Sequence, residues 1–94
     1  MKTINKQRLE QLVSKGAFLV DMRSPVDYRN SHIDGAVNLP LKNFTNKLMG
    51  MPRTTTIVVY SGTATDPELV SGINYAEIMG FTKLHVAAYS ELND

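Results

Sequence analysis

The chain contains no cysteine. That absence excludes disulfides, thiolate metal sites and any cysteine nucleophile supplied by this polypeptide. Histidine is nearly as scarce: His32 and His85 are the only two, and they stand too far apart in sequence to give a metal-ligand spacing. No stretch approaches the ~20 apolar residues of a membrane span, and Met1-Lys2-Thr3-Ile4-Asn5 lacks the apolar centre of a secretory leader. A cytoplasmic setting is therefore the default expectation. Net charge is only +1, so no global field argues for nucleic acid or an acidic membrane as partner. The charge is unevenly spread. Met1 to Gly50 holds eight Lys/Arg against Glu10, Asp21, Asp27 and Asp34, whereas Met51 to Asp94 holds only Arg53 and Lys83 against five acids.

What is present is enough for one domain over residues 1–94, with a single modest core. Its composition, 43% hydrophobic and 20% charged, is that of an ordinary globular chain. The most informative stretch is Thr56-Ile57-Val58-Val59-Tyr60, followed at once by Ser61-Gly62-Thr63-Ala64-Thr65-Asp66-Pro67. A short β-branched run that ends in small residues and opens an apolar-periodic segment reads as a buried strand, a tight loop and a helix N-terminus. Ligands of open α/β sheets bind at such places. The loop contains no cysteine, no histidine and no basic residue.

The remaining segments alternate in the same manner. Asn5 is positioned as an N-cap, Leu9, Leu12 and Val13 repeat at helical spacing, and Gly16 supplies a stop. Ala17 to Val20 is an apolar run ending in Asp21-Met22-Arg23, after which Ser24-Pro25 provides a cap and a first-turn proline for a helix through Tyr28. Gly35 marks a turn, and Ala36 to Pro40 is a brief extended piece. Lys42 to Met49 is weakly helical, with Phe44 and Leu48 one turn apart. A longer helix runs from about Pro67 to Met79, with Leu69, Gly72, Ile73, Ala76 and Met79 on one face. Gly72 inside it costs roughly 1 kcal/mol against alanine, which points to close packing on the sheet. Leu84 to Ala87 is a last short strand. The fold class that follows is α/β, with a small, mostly parallel central sheet and helices on both faces.

Three segments taken together resemble the rhodanese-like domain family. Leu19-Val20-Asp21-Met22-Arg23-Ser24-Pro25 is similar to that family's strand ending in Asp-x-Arg, and His32-Ile33-Asp34-Gly35-Ala36-Val37-Asn38-Leu39-Pro40 resembles its His-Ile-x-Gly-Ala-x-Asn-x-Pro signature. Ile57 to Tyr60 aligns with the strand that delivers the catalytic cysteine, and Ile78 to Phe81 with the end of the next helix. The resemblance implies a single rhodanese-like domain with Asp21, Arg23, His32, Gly35 and Asn38 as its structural motif. The active-site loop is then Ser61, Gly62, Thr63, Ala64, Thr65 and Asp66. In the family a cysteine at the Ser61 position carries sulfane sulfur as a persulfide, cradled by loop amides and helped by basic residues. Here the loop looks longer than the common form and no arginine lies between Ser61 and Gly80. Ala87 to Leu92 also replaces the family's Gly-Gly and tryptophan-bearing helix.

These departures set the expected function. Persulfide transfer needs a sulfur that ionises near neutral pH, which a serine hydroxyl does not supply. A serine mechanism would need His32 or His85 as its base, and the Gly-x-Ser-x-Gly elbow is missing. Phosphatase-like chemistry on a related loop would need both a cysteine and an arginine. The reading is a rhodanese-fold domain without sulfurtransferase activity, acting as a binding or regulatory module with no metal or cofactor. Its partner, a protein or a small anion, is not indicated, and neither is an oligomeric state. The alternative is an active thiosulfate or persulfide sulfurtransferase whose cysteine has been replaced by Ser61. Three local expectations accompany the reading. Asp66 or Thr65 caps the helix, in the latter case through a capping box with Glu68; the loop carboxylates Asp66 and Glu68 stand where an anion would bind; and Arg23 pairs locally with Asp27.

Overall fold

The computed structural model describes residues 1–92. Asn5 caps helix α1 (Lys6–Ser14) by accepting from the Arg8 amide at 2.9 Å, and Leu9 and Leu12 form its buried stripe. Strand β1 (Phe18–Asp21) leads into α2 (Pro25–Asn30), which Ser24 caps by accepting from the Asp27 amide. A two-residue strand β2 (Val37–Asn38) and helix α3 (Leu41–Met49) come next. Strand β3 (Ile57–Ser61), helix α4 (Pro67–Ile78), strand β4 (Leu84–Ala88) and a single 3-10 turn (Tyr89–Glu91) complete the order. Ser61 is therefore the last residue of the strand rather than the first of the loop.

The sheet order is β2-β1-β3-β4 and every pairing is parallel, in register Val20 with Val37, Phe18 with Ile57, and Ile57 with Leu84. Side-chain alternation along the strands divides the core in two. Val20, Ile57, Val59, Leu84 and Val86 pack with Phe44, Leu48, Leu69 and Ile73 of α3 and α4 on one face. Leu19, Val58, Tyr60 and Ala87 pack with Leu9 and Leu12 of α1 on the other. All of β3 is buried, as its unbroken apolar run requires for a strand covered on both faces. At one edge Ile4 donates its amide to the Val86 carbonyl at 2.8 Å, and Thr3 forms an isolated parallel bridge to the same residue.

Gly72 sits on the buried face of α4, as its spacing predicts, but its neighbours differ from the expectation. A Cβ there would lie 2.9 Å from Met22 Cε and 3.2 Å from Phe44 Cδ2. The missing side chain makes room for Met22, just past β1, and for the ring of α3, so the close approach is to side chains and not to the sheet. Met49 is an exposed side chain, whereas Met51 packs against the core.

His85 is half-buried on the α1 side of β4. Burial, and then the nearby Arg8 charge, hold its imidazole below the ordinary value of 6.5. The unfolded chain therefore takes up this proton first as pH falls. The contribution of His85 to stability is complete above the unfolded pKa and is lost as pH drops through the folded one. The urea midpoint is expected to fall from ~pH 6.5 downward, and His85→Gln should flatten that part of the profile. Identical profiles in the two proteins would assign the acid sensitivity to other groups.

Candidate functional site at the carboxyl ends of the strands

From β1 the chain runs outward to β2, and from β3 outward to β4 on the other side. The carboxyl ends of β1 and β3 thus flank the point where strand order reverses, and parallel sheets form their crevice there. A pocket of about 480 Å³ occupies this point. The segment after β1 forms one wall through Arg23, Ser24 and Pro25; the end of β3 and the loop that follows it form the other through Ser61, Gly62, Asp66 and Pro67.

Ser61 is 5% exposed, so its hydroxyl needs a partner. It donates to Asp66 Oδ2 at 2.7 Å. The same oxygen accepts the Thr63 amide at 3.3 Å, while Asp66 Oδ1 accepts the Thr63 hydroxyl at 3.0 Å. Hydrogen bonding from Ser61 above all, helped by the Thr63 hydroxyl and amide and the Gly62 amide, holds the Asp66 carboxyl below its ordinary value against the opposing effect of burial. The carboxylate is thereby turned into its own loop. Asp66 is the N-cap residue by backbone position, yet its side chain makes no capping bond to α4. Thr65 instead meets Thr63 through their hydroxyls at 3.3 Å. The capping box expected from Thr65 and Glu68 does not form, because the helix starts at Pro67 with Asp66 in the N-cap position, which leaves Thr65 one residue outside it. Of the two loop acids, only Asp66 lies within the cradle; Glu68 is on the pocket rim. Ser90 fixes the other side of the loop by donating its amide to the Gly62 carbonyl at 3.1 Å.

The motif residues of the first half form a second, separate constellation. Asp21 is wholly buried, and its Oδ1 accepts the Arg23 amide at 2.8 Å. The Arg23 guanidinium binds the same carboxylate through Nε and, at 2.8 Å, through Nη2. Nη2 also donates to the Ser31 carbonyl at 2.6 Å, and the guanidinium carbon lies 3.9 Å from the Tyr89 ring centroid. Burial opposes this charge, but the hydrogen bond to Asp21 and its negative field outweigh that and raise the Arg23 pKa. Arg23 does not pair with Asp27: the carboxylate two residues back is already buried beside it. Tyr60 stacks on Tyr89 at 5.6 Å between centroids and accepts the Ile33 amide at 3.0 Å. Its phenol is pushed well above the ordinary value, first by burial and then by Asp21.

Asn38 donates to the Asp21 and Arg23 carbonyls, tying β2 to the end of β1. Gly35 adopts φ +86°, which a side chain would strain. His32 bonds the Tyr28 carbonyl through Nδ1 at 2.7 Å and stacks on the Tyr28 ring at 3.8 Å, while the Tyr28 hydroxyl donates to the Ala36 carbonyl. Neither histidine partners Ser61, whose hydroxyl is committed to Asp66. Among the described residues no group of His, Asp and Glu is gathered to hold a metal ion, and no helix is long and apolar enough to cross a membrane.

The model of the Rhodanese-like domain family matches residues 5–90. This chain belongs to that family. Among solved rhodanese-type structures it is similar to the human single-domain sulfurtransferase TSTD1, at 21% identity and TM-score 0.77, over 97% of this chain and 94% of that one. It is also similar to a rhodanese-like domain protein from Staphylococcus aureus, at 18% identity and TM-score 0.80, over 100% and 93% of the two chains. SSP1007 from Staphylococcus saprophyticus gives 18% identity and TM-score 0.76, over 99% and 94%. No curated protein sequence matches at a significant level. At these identities the likeness establishes the rhodanese fold alone. Sequence reasoning did not find the roles of Tyr60, Tyr89 and Ser31. It also missed that the end of β1 supplies half of the pocket. The parallel register that brings Asp21 opposite Tyr60 is the signal that unites the two loops.

Proposed function

We propose that this chain is a rhodanese-like domain that does not transfer sulfur and serves instead as a binding or regulatory module. The observation that carries the proposal is the Asp66 carboxylate, hydrogen-bonded to Ser61 Oγ at 2.7 Å and to the Thr63 amide inside the loop. Sulfur transfer through a persulfide needs a thiolate and a cradle that welcomes an anionic donor. This polypeptide supplies no thiol, and the donors of Ser61 and Thr63 are taken up by its own acid. A thiosulfate dianion approaching Gly62 and Thr63 would meet that fixed negative charge.

Two measurements on the unaltered protein test this. Thiosulfate-to-cyanide transfer is expected to stay at the reagent blank, and thiosulfate titrated into 15N-labelled protein should leave the Gly62 and Thr63 amide resonances in place. Turnover above the blank, or saturable shifts of those two amides, would overturn the proposal.

A further inference from the structure

The crevice between β1 and β3 differs in character from an anion site. Its walls are largely apolar: Pro25, Pro40 and Pro67 line it together with Met22. Three prolines make walls that lose little conformational freedom when something packs on them. Around them stand the carboxylates of Asp27, Asp66 and Glu68, and Arg23 is the only basic lining residue. The Arg23 charge is spent, since its guanidinium is bound to the buried Asp21 carboxylate and to the Ser31 carbonyl. Asp27 and Glu68 have no ion-pair partner among the described residues, and both are exposed. The pocket sits where the strand order reverses, the place at which parallel sheets take their ligands. A rigid apolar groove with an uncompensated acidic rim is complementary to a cationic group on an apolar stem.

We propose that this groove docks a basic segment of a partner protein, with a lysine or arginine side chain lying over the prolines and its charge between Asp27 and Glu68. The proposal rests on the reading of the domain as a binding module without sulfur transfer, and it specifies the chemistry of what is bound. An anion is disfavoured at the same place by Asp66, so the pocket selects by sign of charge.

The probe is the tripeptide acetyl-Lys-Leu-Lys-amide, titrated into the 15N-labelled protein beside its anionic counterpart acetyl-Glu-Leu-Glu-amide and beside thiosulfate. The cationic peptide is expected to shift the amides of Asp27, Gly62 and Glu68 in a saturable way, and the anionic one to leave them unmoved. The double variant Asp27→Asn/Glu68→Gln should bind the cationic peptide roughly tenfold more weakly, the loss of two rim charge pairs. Addition of ~1 M NaCl, where the Debye length is ~3 Å, should weaken binding similarly. Both substituted residues are exposed, so an unchanged amide spectrum elsewhere will show that the variant is folded. The proposal is overturned if the cationic peptide leaves those amides in place, if the anionic peptide moves them equally, or if the double variant binds as before. It is also overturned if the amides shift with protein concentration alone, which would make a second copy the occupant. Thiosulfate shifts at Gly62 would sink the inactive reading and this proposal together. Failure of the peptide while thiosulfate stays silent would sink this proposal alone.

Discussion

Asp21→Ala is expected to destabilise the domain by about 3–5 kcal/mol, the cost of removing one partner from a buried ion pair. A small domain has about 5–15 kcal/mol in all, so the variant should be close to unfolding at room temperature. The size follows from what the carboxylate does. It is wholly buried, it accepts the Arg23 amide, and it holds a guanidinium whose side chain is only 11% exposed. Alanine would leave that charge without a counterion beneath Tyr89 and leave the amide at the end of β1 unpaired. Urea denaturation followed by circular dichroism gives the difference directly, provided the slope stays unchanged. The double variant Asp21→Ala/Arg23→Met should recover part of the loss, because the stranded charge is then gone. A loss under about 1 kcal/mol for the single variant would mean that the pair behaves as a surface bridge.

The second large effect concerns chemistry. Ser61→Cys is expected to leave thiosulfate-to-cyanide transfer at the blank. The new thiol would inherit the Asp66 carboxylate as its nearest neighbour, and a negative charge at hydrogen-bond distance raises a thiol pKa above its free value of ~8.5. Little thiolate would form near neutral pH, and an anionic sulfur donor would be repelled by the same group. Ser61→Cys/Asp66→Ala removes the charge and frees the Thr63 amide. Its thiol pKa should be lower by on the order of one unit, which gives about tenfold more thiolate at neutral pH and, after the lower nucleophilicity of that thiolate, roughly threefold faster alkylation by iodoacetamide. Alkylation rates against pH read both values. If Ser61→Cys alone gains turnover, the cradle is intact and the missing sulfur is the only defect. The alternative of an active sulfurtransferase with a replaced cysteine then displaces the binding module.

The parts of this protein that were legible in its sequence are those set by local periodicity. Ile57 to Tyr60 reads as a buried strand because it is apolar on both faces, and Leu69, Ile73 and Ala76 place the inner face of α4 by spacing alone. The two-residue strand β2 is too short to show a period; only the motif around Asn38 marks it. What local rules missed was each case in which a distant group competed. An aspartate before a proline-led helix ordinarily caps that helix, yet Asp66 turns back because a strand-end hydroxyl five residues earlier offers a buried bond. Arg23 has Asp27 one helical turn ahead, yet the acid already buried behind it wins. Tyr60 and Tyr89 come together around the guanidinium only once β3 and β4 are paired.

The bond from Ile4 to Val86 affects more than its own edge. An exposed strand edge is a template on which other chains can pair and aggregate. Here one edge strand has only two residues, and along the other the amino-terminal residues lie over the middle of β4. The sheet is thus left with little edge for strand addition, and a partner would have to be met by loops and side chains rather than by backbone pairing.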